Sequence, residues 1–171
     1  MNAALEDQLI DVLVRRLEAS VTAASIVEWA TNAMVAGEDT PSLVILAGFD
    51  HNGSVFETAP WLDKALAELH VLPPPPTELR RAYVGAVSRA LVAGRLTSQQ
   101  ALNSIHQHAV TPLGHPPDLA AWCFVWEGLG PTDFRELSPS EVDLEARALA
   151  AQWAGRAGFE TSLPASEPGD A

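Results

Sequence analysis

Two stretches of this chain repeat one pattern at an interval of 57 residues. The first is an apolar run with Ile26, Trp29, Ala30 and Ala33, ending in Ala36-Gly37 and followed by Thr40. The second has Tyr83, Val87, Ala90 and Leu91, ending in Ala93-Gly94 and followed by Thr97. Each describes a helix stopped by a residue free to turn left-handed, then a hydroxyl that caps the next helix. A chain that does this twice is built from helical corners. The same interval pairs Pro60 and Leu62 with Pro117 and Leu119. The pattern predicts an all-α fold of about eight helices, as a compact bundle or a short stacked-helix array of two similar units. No segment alternates with period two over β-branched residues, so no sheet is expected.

Apolar spacing places the helices. Leu5, Leu9, Val12, Leu13 and Leu17 predict one over 3–19, with Asp11 and Arg15 paired at i,i+4. A second covers 22–36. Thr40-Pro41 opens a third, and residues 43–47 are apolar enough to predict burial on every side. Ser54 and Glu57 have capping-box spacing for a fourth, although Pro60 makes a start near Thr58, or a kink, the alternative. Residues 73–76 are four prolines, a stiff connector between units at about 1–72 and 77–159 of one helical domain. Thr77 and Thr97 then read as caps, with Gln100 completing a box at the second. Residues 118–127 form a helix with Leu119, Trp122, Cys123 and Trp126 inward, ended by Gly128 to Pro131. Ser138-Pro139-Ser140-Glu141 opens the last, lined by Val142, Ala146, Leu149 and Trp153. Residues 160–171 have the composition of a disordered acidic tail.

Charge narrows the partners. The net charge is −12. That disfavours nucleic acid, which is bound by neutralising phosphates, and anionic membranes, and it favours a basic protein. Residues 1–76 hold three basic and eleven acidic side chains, whereas residues 77–110 hold four arginines and one glutamate. This island of Arg80, Arg81, Arg89 and Arg95 is expected to pair internally with acidic neighbours. No apolar run approaches membrane-spanning length, and Glu6, Asp7 and Asp11 break the pattern of a signal peptide, which predicts a cytoplasmic protein.

The candidate chemistry is sparse. His106, His108 and His115 fall within ten residues of one another. Imidazoles ligate zinc and similar metals, and Asp118 or Glu127 would add a carboxylate. His106 and His108, two apart, do not share a helix face, so no metal is expected. His106 lies on the stripe of Leu102, Ile105 and Ala109 and reads as a partly buried histidine. Cys123, the only cysteine, sits on an apolar face that opposes thiolate formation. There is no H-E-x-x-H, no G-x-S-x-G and no glycine-rich phosphate loop, so no cofactor is expected.

These residues favour a non-enzymatic protein–protein interaction module (an adaptor, inhibitor or immunity-type protein) that binds a basic partner. Its contacts are expected at the proline-rich loop of residues 111–118 and the helix after it: Leu113, His115, Asp118, Trp122, Trp126 and Glu127. The alternative is a metal-dependent enzyme using His106, His108 and His115. Nothing in the chain sets an oligomeric state.

Overall fold

Short polar side chains start most of the helices. The computed structural model describes residues 1–129 and 137–155. The helix stop at Gly130-Pro131, the domain limit at 159 and the acidic tail at 160–171 lie outside these residues. Among the described residues there are eight α-helices and no strand: α1 (Ala3–Leu17), α2 (Ala23–Val35), α3 (Pro41–Ala47), α4 (Val55–Glu68), α5 (Pro76–Val92), α6 (Ser98–Ile105), α7 (Ala120–Glu127) and α8 (Pro139–Ala154). A π-helical turn, His106–Val110, extends α6, and a 3₁₀ turn, Pro117–Leu119, leads into α7. Asn2, Thr22, Thr40, Ser54, Thr97 and Ser138 accept backbone N–H bonds at the starts of α1, α2, α3, α4, α6 and α8. Four of these are full capping boxes, including the expected Ser54/Glu57, Thr97/Gln100 and Ser138/Glu141 pairs.

Two local expectations are corrected, and the alternative start of α4 is set aside. Thr77 does not cap α5: the helix begins at Pro76, whose fixed φ suits the first helical position, and so encloses Thr77. Pro60 does not delay α4, which begins at Val55 and runs through it, because the capping box secures the turn before the proline. The apolar helix α3 is buried on one side only. Leu43 and Leu46 are fully buried, whereas Val44 and Ile45 are 48% and 42% exposed. With α2 and α4 as its main neighbours, a seven-residue helix has no layer to cover its far face.

The repeated pattern is realised as a repeated corner. Gly37 and Gly94 both take left-handed φ, +92° and +71°. At the first, the N–H of Glu38 bonds the Ala33 carbonyl and that of Gly37 bonds Met34; at the second, Arg95 bonds Ala90 and Gly94 bonds Leu91. This is the Schellman closure, repeated at the same interval as the sequence pattern. The likeness stops there. After its corner the first segment enters α3, a turn and α4, while the second enters α6, a π turn and a loop. The same pair of bonds closes α1 at Ala19 (φ 52°) and α4 at His70 (φ 54°). Neither residue is glycine, so both corners carry a steric cost from Cβ.

The core runs through both halves of the chain. Helix α5 is its axis: Leu79, the run from Tyr83 to Ser88, and Leu91 are buried, and its most extensive contacts are with α8 and α1. Ser88 satisfies its buried hydroxyl by donating to the Val84 carbonyl at 2.6 Å. Leu66, Trp122 and Trp153 are buried as the helical stripes predict, and one hydrophobic cluster joins residues of α1–α4 to those of α5–α8.

Ala19→Gly removes the Cβ clash of a left-handed corner and should raise unfolding stability by about 1 kcal/mol, measured by chemical denaturation. Trp122→Ala should lower it by roughly 3–5 kcal/mol. Because α1 leans on α5, a fragment of residues 1–72 should show no cooperative melt as a monomer; such a melt would contradict a shared core.

Candidate functional site

Three of the four arginines of the island are engaged inside the molecule. Arg80 Nη1 donates to Glu18 Oε1 at 2.7 Å, joining α5 to the end of α1. Arg89 donates through Nε and Nη2 to Asp7 Oδ1, at 2.9 and 2.6 Å, and also reaches the Ala154 carbonyl at the end of α8. Arg81 bonds Asp118 at 2.8 Å. Elsewhere Arg15 holds Asp11 at 2.7 Å, Arg16 grips Asp63 at 2.5 and 2.8 Å, and Arg147 holds Asp143 at 2.9 Å. Hydrogen bonds to these carboxylates raise the pKa values of Arg15, Arg16 and Arg81. The expected internal pairing therefore holds for Arg80, Arg81 and Arg89; Arg95 is the looser member, 3.9 Å from Asp7.

The π turn separates the histidines. Its wider winding continues α6 to Val110. His108 points into the protein. Its Nδ1 lies 2.7 Å from Glu18 Oε2, its ring meets Tyr83 edge-on, and its carbonyl accepts from Arg80. His106 points the other way. It stacks on Trp126 at 3.6 Å between centroids, with planes 9° apart, and meets His115 edge-on at 5.9 Å. Burial first, then the neighbouring His115, pushes the His106 pKa down. The three imidazoles therefore do not converge, and no group of three or more histidine, cysteine, aspartate or glutamate side chains could hold a metal ion among the described residues. The metal-enzyme alternative loses its proposed ligand set through the facial spacing of residues 106 and 108.

The residues expected to meet a partner divide into two groups. Trp122 is 1% exposed and belongs to the core, Leu113 packs against that core, and Asp118 is engaged by Arg81. His115, Trp126 and Glu127 remain at the surface of one patch. Trp126 is held in place: His106 covers one ring face and Nε1 donates to Asn103 Oδ1 at 3.0 Å. His115 sits in the left-handed region (φ 58°) directly after Gly114 (φ 71°), which folds the loop back toward His106. Cys123 is half-buried, and burial pushes its thiol pKa up, as the apolar helical face predicts. Spacing could not have found the Glu18–His108 pair, whose members lie 90 residues apart.

Protein-family models, curated proteins and solved structures contain no match to this chain.

Arg80→Met leaves Glu18 facing His108 alone and should cost roughly 3 kcal/mol; a double-mutant cycle with Glu18→Gln should show strong coupling. Tyr83, the chain's only tyrosine, has its pKa raised to about 12, chiefly by burial and then by Asp11. The folded state thus favours the neutral phenol over the unfolded value of 10.0. Its stabilising contribution is full below pH 10.0 and is lost as pH rises toward about 12. Ultraviolet titration of tyrosinate should place ionisation near that upper value, and Tyr83→Phe should flatten the alkaline loss of stability.

Proposed function

We propose that this protein is a non-enzymatic interaction module that binds a basic protein partner. One observation carries the reading: the described arginines other than Arg95 each hydrogen-bond a carboxylate of the same chain, at 2.9 Å or less. These arginines are thereby drawn into structural pairs, while Glu28, Asp39, Asp50, Glu57, Glu78, Glu127 and Glu145 stay exposed. A surface of this kind attracts a basic partner and repels polyanions. No helix among the described residues is long and apolar enough to cross a membrane, and a cytoplasmic setting is part of the proposal.

The lasting contact is assigned to the patch of His115, Trp126 and Glu127. Tryptophan is favoured at binding hot spots, and a ring already fixed by stacking and a hydrogen bond loses little freedom on docking. Glu127 supplies the charge for a lysine or arginine beside that ring.

Affinity capture from the cell that makes the protein, followed by kinetics with the purified partner, tests this. Raising ionic strength from low to physiological should slow association much more than it speeds dissociation. Trp126→Ala should speed dissociation about tenfold or more, with thermal melting as the control for folding. Capture of nucleic acid alone, or a partner whose binding ignores both salt and Trp126, would remove the support for this reading.

A further inference from the structure

A second feature lies away from the Trp126 patch and concerns a different class of ligand. Between α1 and α5 the structure holds a cavity of about 490 Å³. That is within the roughly 300–1,000 Å³ range of pockets that take small organic ligands. Its carbon surface comes from Ala4, Tyr83, Ala86, Val87, Ala90 and Leu96. Small side chains at three of these positions are what leave the groove open between two helices that otherwise pack closely. Asp7, Asp11, Arg15 and Arg95 give it charge.

Those charges are not equivalent. Asp11 is taken by Arg15 at 2.7 Å. Asp7, with a side chain only 11% exposed, is taken by Arg89. Both carboxylates on the wall are therefore compensated by other arginines. Arg95 is different. It makes no hydrogen bond among the described residues, its nearest carboxylate oxygen is 3.9 Å away, and its side chain is 55% exposed. On the lining two arginines face two carboxylates, but Arg89, from outside it, already holds Asp7 with two hydrogen bonds, so Arg95 is the least engaged cation of the group. Close to Arg95's wall, Gln8 accepts from Asn32 at 3.0 Å, which leaves the Gln8 amide N–H groups as further donors on the lining.

We propose that this cavity binds a small monocarboxylate with an apolar body. Its carboxylate meets the Arg95 guanidinium, a planar donor pair suited to bidentate recognition. Its hydrocarbon part lies on the alanine and valine floor of α5. A single weakly engaged guanidinium matches a monoanion. A dianion such as phosphate would find one partner too few and no apolar use for the floor, and an amine would face Arg95 with like charge.

The test uses the full chain and octanoate as the probe, followed by calorimetry and by amide chemical shifts. Octanoate should bind saturably at micromolar to millimolar concentration, with shift changes centred on α1 and α5. Arg95→Gln should weaken it roughly tenfold, the loss expected for a charge-assisted hydrogen bond. Ala90→Phe should block it by filling the floor. Octanol, octylamine and inorganic phosphate, run under the same conditions, should bind at least tenfold more weakly. Because Arg95 is exposed, Arg95→Gln is expected to fold, and its melting curve checks this. The proposal is overturned if octanoate does not saturate, if Arg95→Gln binds it as well as the parent chain, or if octanol or phosphate matches it. None of these outcomes bears on the protein-partner reading, which rests on different residues.

Discussion

Helix α5 joins α1, α6 and α8 into one core, and it is fixed to α1 by two ion pairs at opposite ends. Arg80, near the start of α5, holds Glu18 just past the end of α1; Arg89, near the end of α5, holds Asp7 near the start of α1. This crossed pairing requires the two helices to run antiparallel. It also sets their register, because each arginine has a carboxylate within reach in one alignment. The apolar contacts supply most of the stability, being non-directional and proportional to area. The ion pairs select which of the possible slides between two greasy helices is used. Through Arg89 the selection extends to α8, whose terminal Ala154 carbonyl accepts from the same guanidinium.

How far the sequence reveals this depends on the range of the interaction. Local signals were legible. Capping boxes at Ser54, Thr97 and Ser138, the proline at the start of α3 and the glycine corners at 37 and 94 all involve residues a few positions apart. The corners at Ala19 and His70 were not, since neither residue type announces a left-handed φ; there the surrounding packing outweighs the local preference. The candidate site splits the same way. The aromatic and histidine content around 106–126 is plain from the chain, but which imidazole turns inward is decided by a π turn and by Glu18, 90 residues from His108. Trp122 and Trp126 look alike in a helical pattern. Only the neighbours of α7 separate the buried ring from the half-buried one.

Electrostatics links the fold to the proposed function. A guanidinium engaged by a carboxylate loses most of its ability to attract a polyanion, so the number of basic residues overstates the positive surface. Among the described arginines the pairing leaves only Arg95, on the lining of the α1–α5 cavity, without a hydrogen-bonded carboxylate. The same internal pairs that fix helix register thus also reduce the positive surface that these arginines present.

The crossed clamp also has a consequence in time. Asp7 and its partner Arg89 are 82 residues apart in a chain made from its N-terminus. At about 5–20 residues per second, roughly 4–16 seconds separate the appearance of one from the other. During that interval α1 is without its partner helix, and its apolar side lacks the cover that α5 later provides. The early segment is nevertheless strongly acidic, with eleven carboxylates against three cations in residues 1–76. Like charge on that segment opposes association between copies, and it falls when Arg80 and Arg89 arrive to pair with Glu18 and Asp7. The step that completes the core is therefore also the step that removes part of the repulsion.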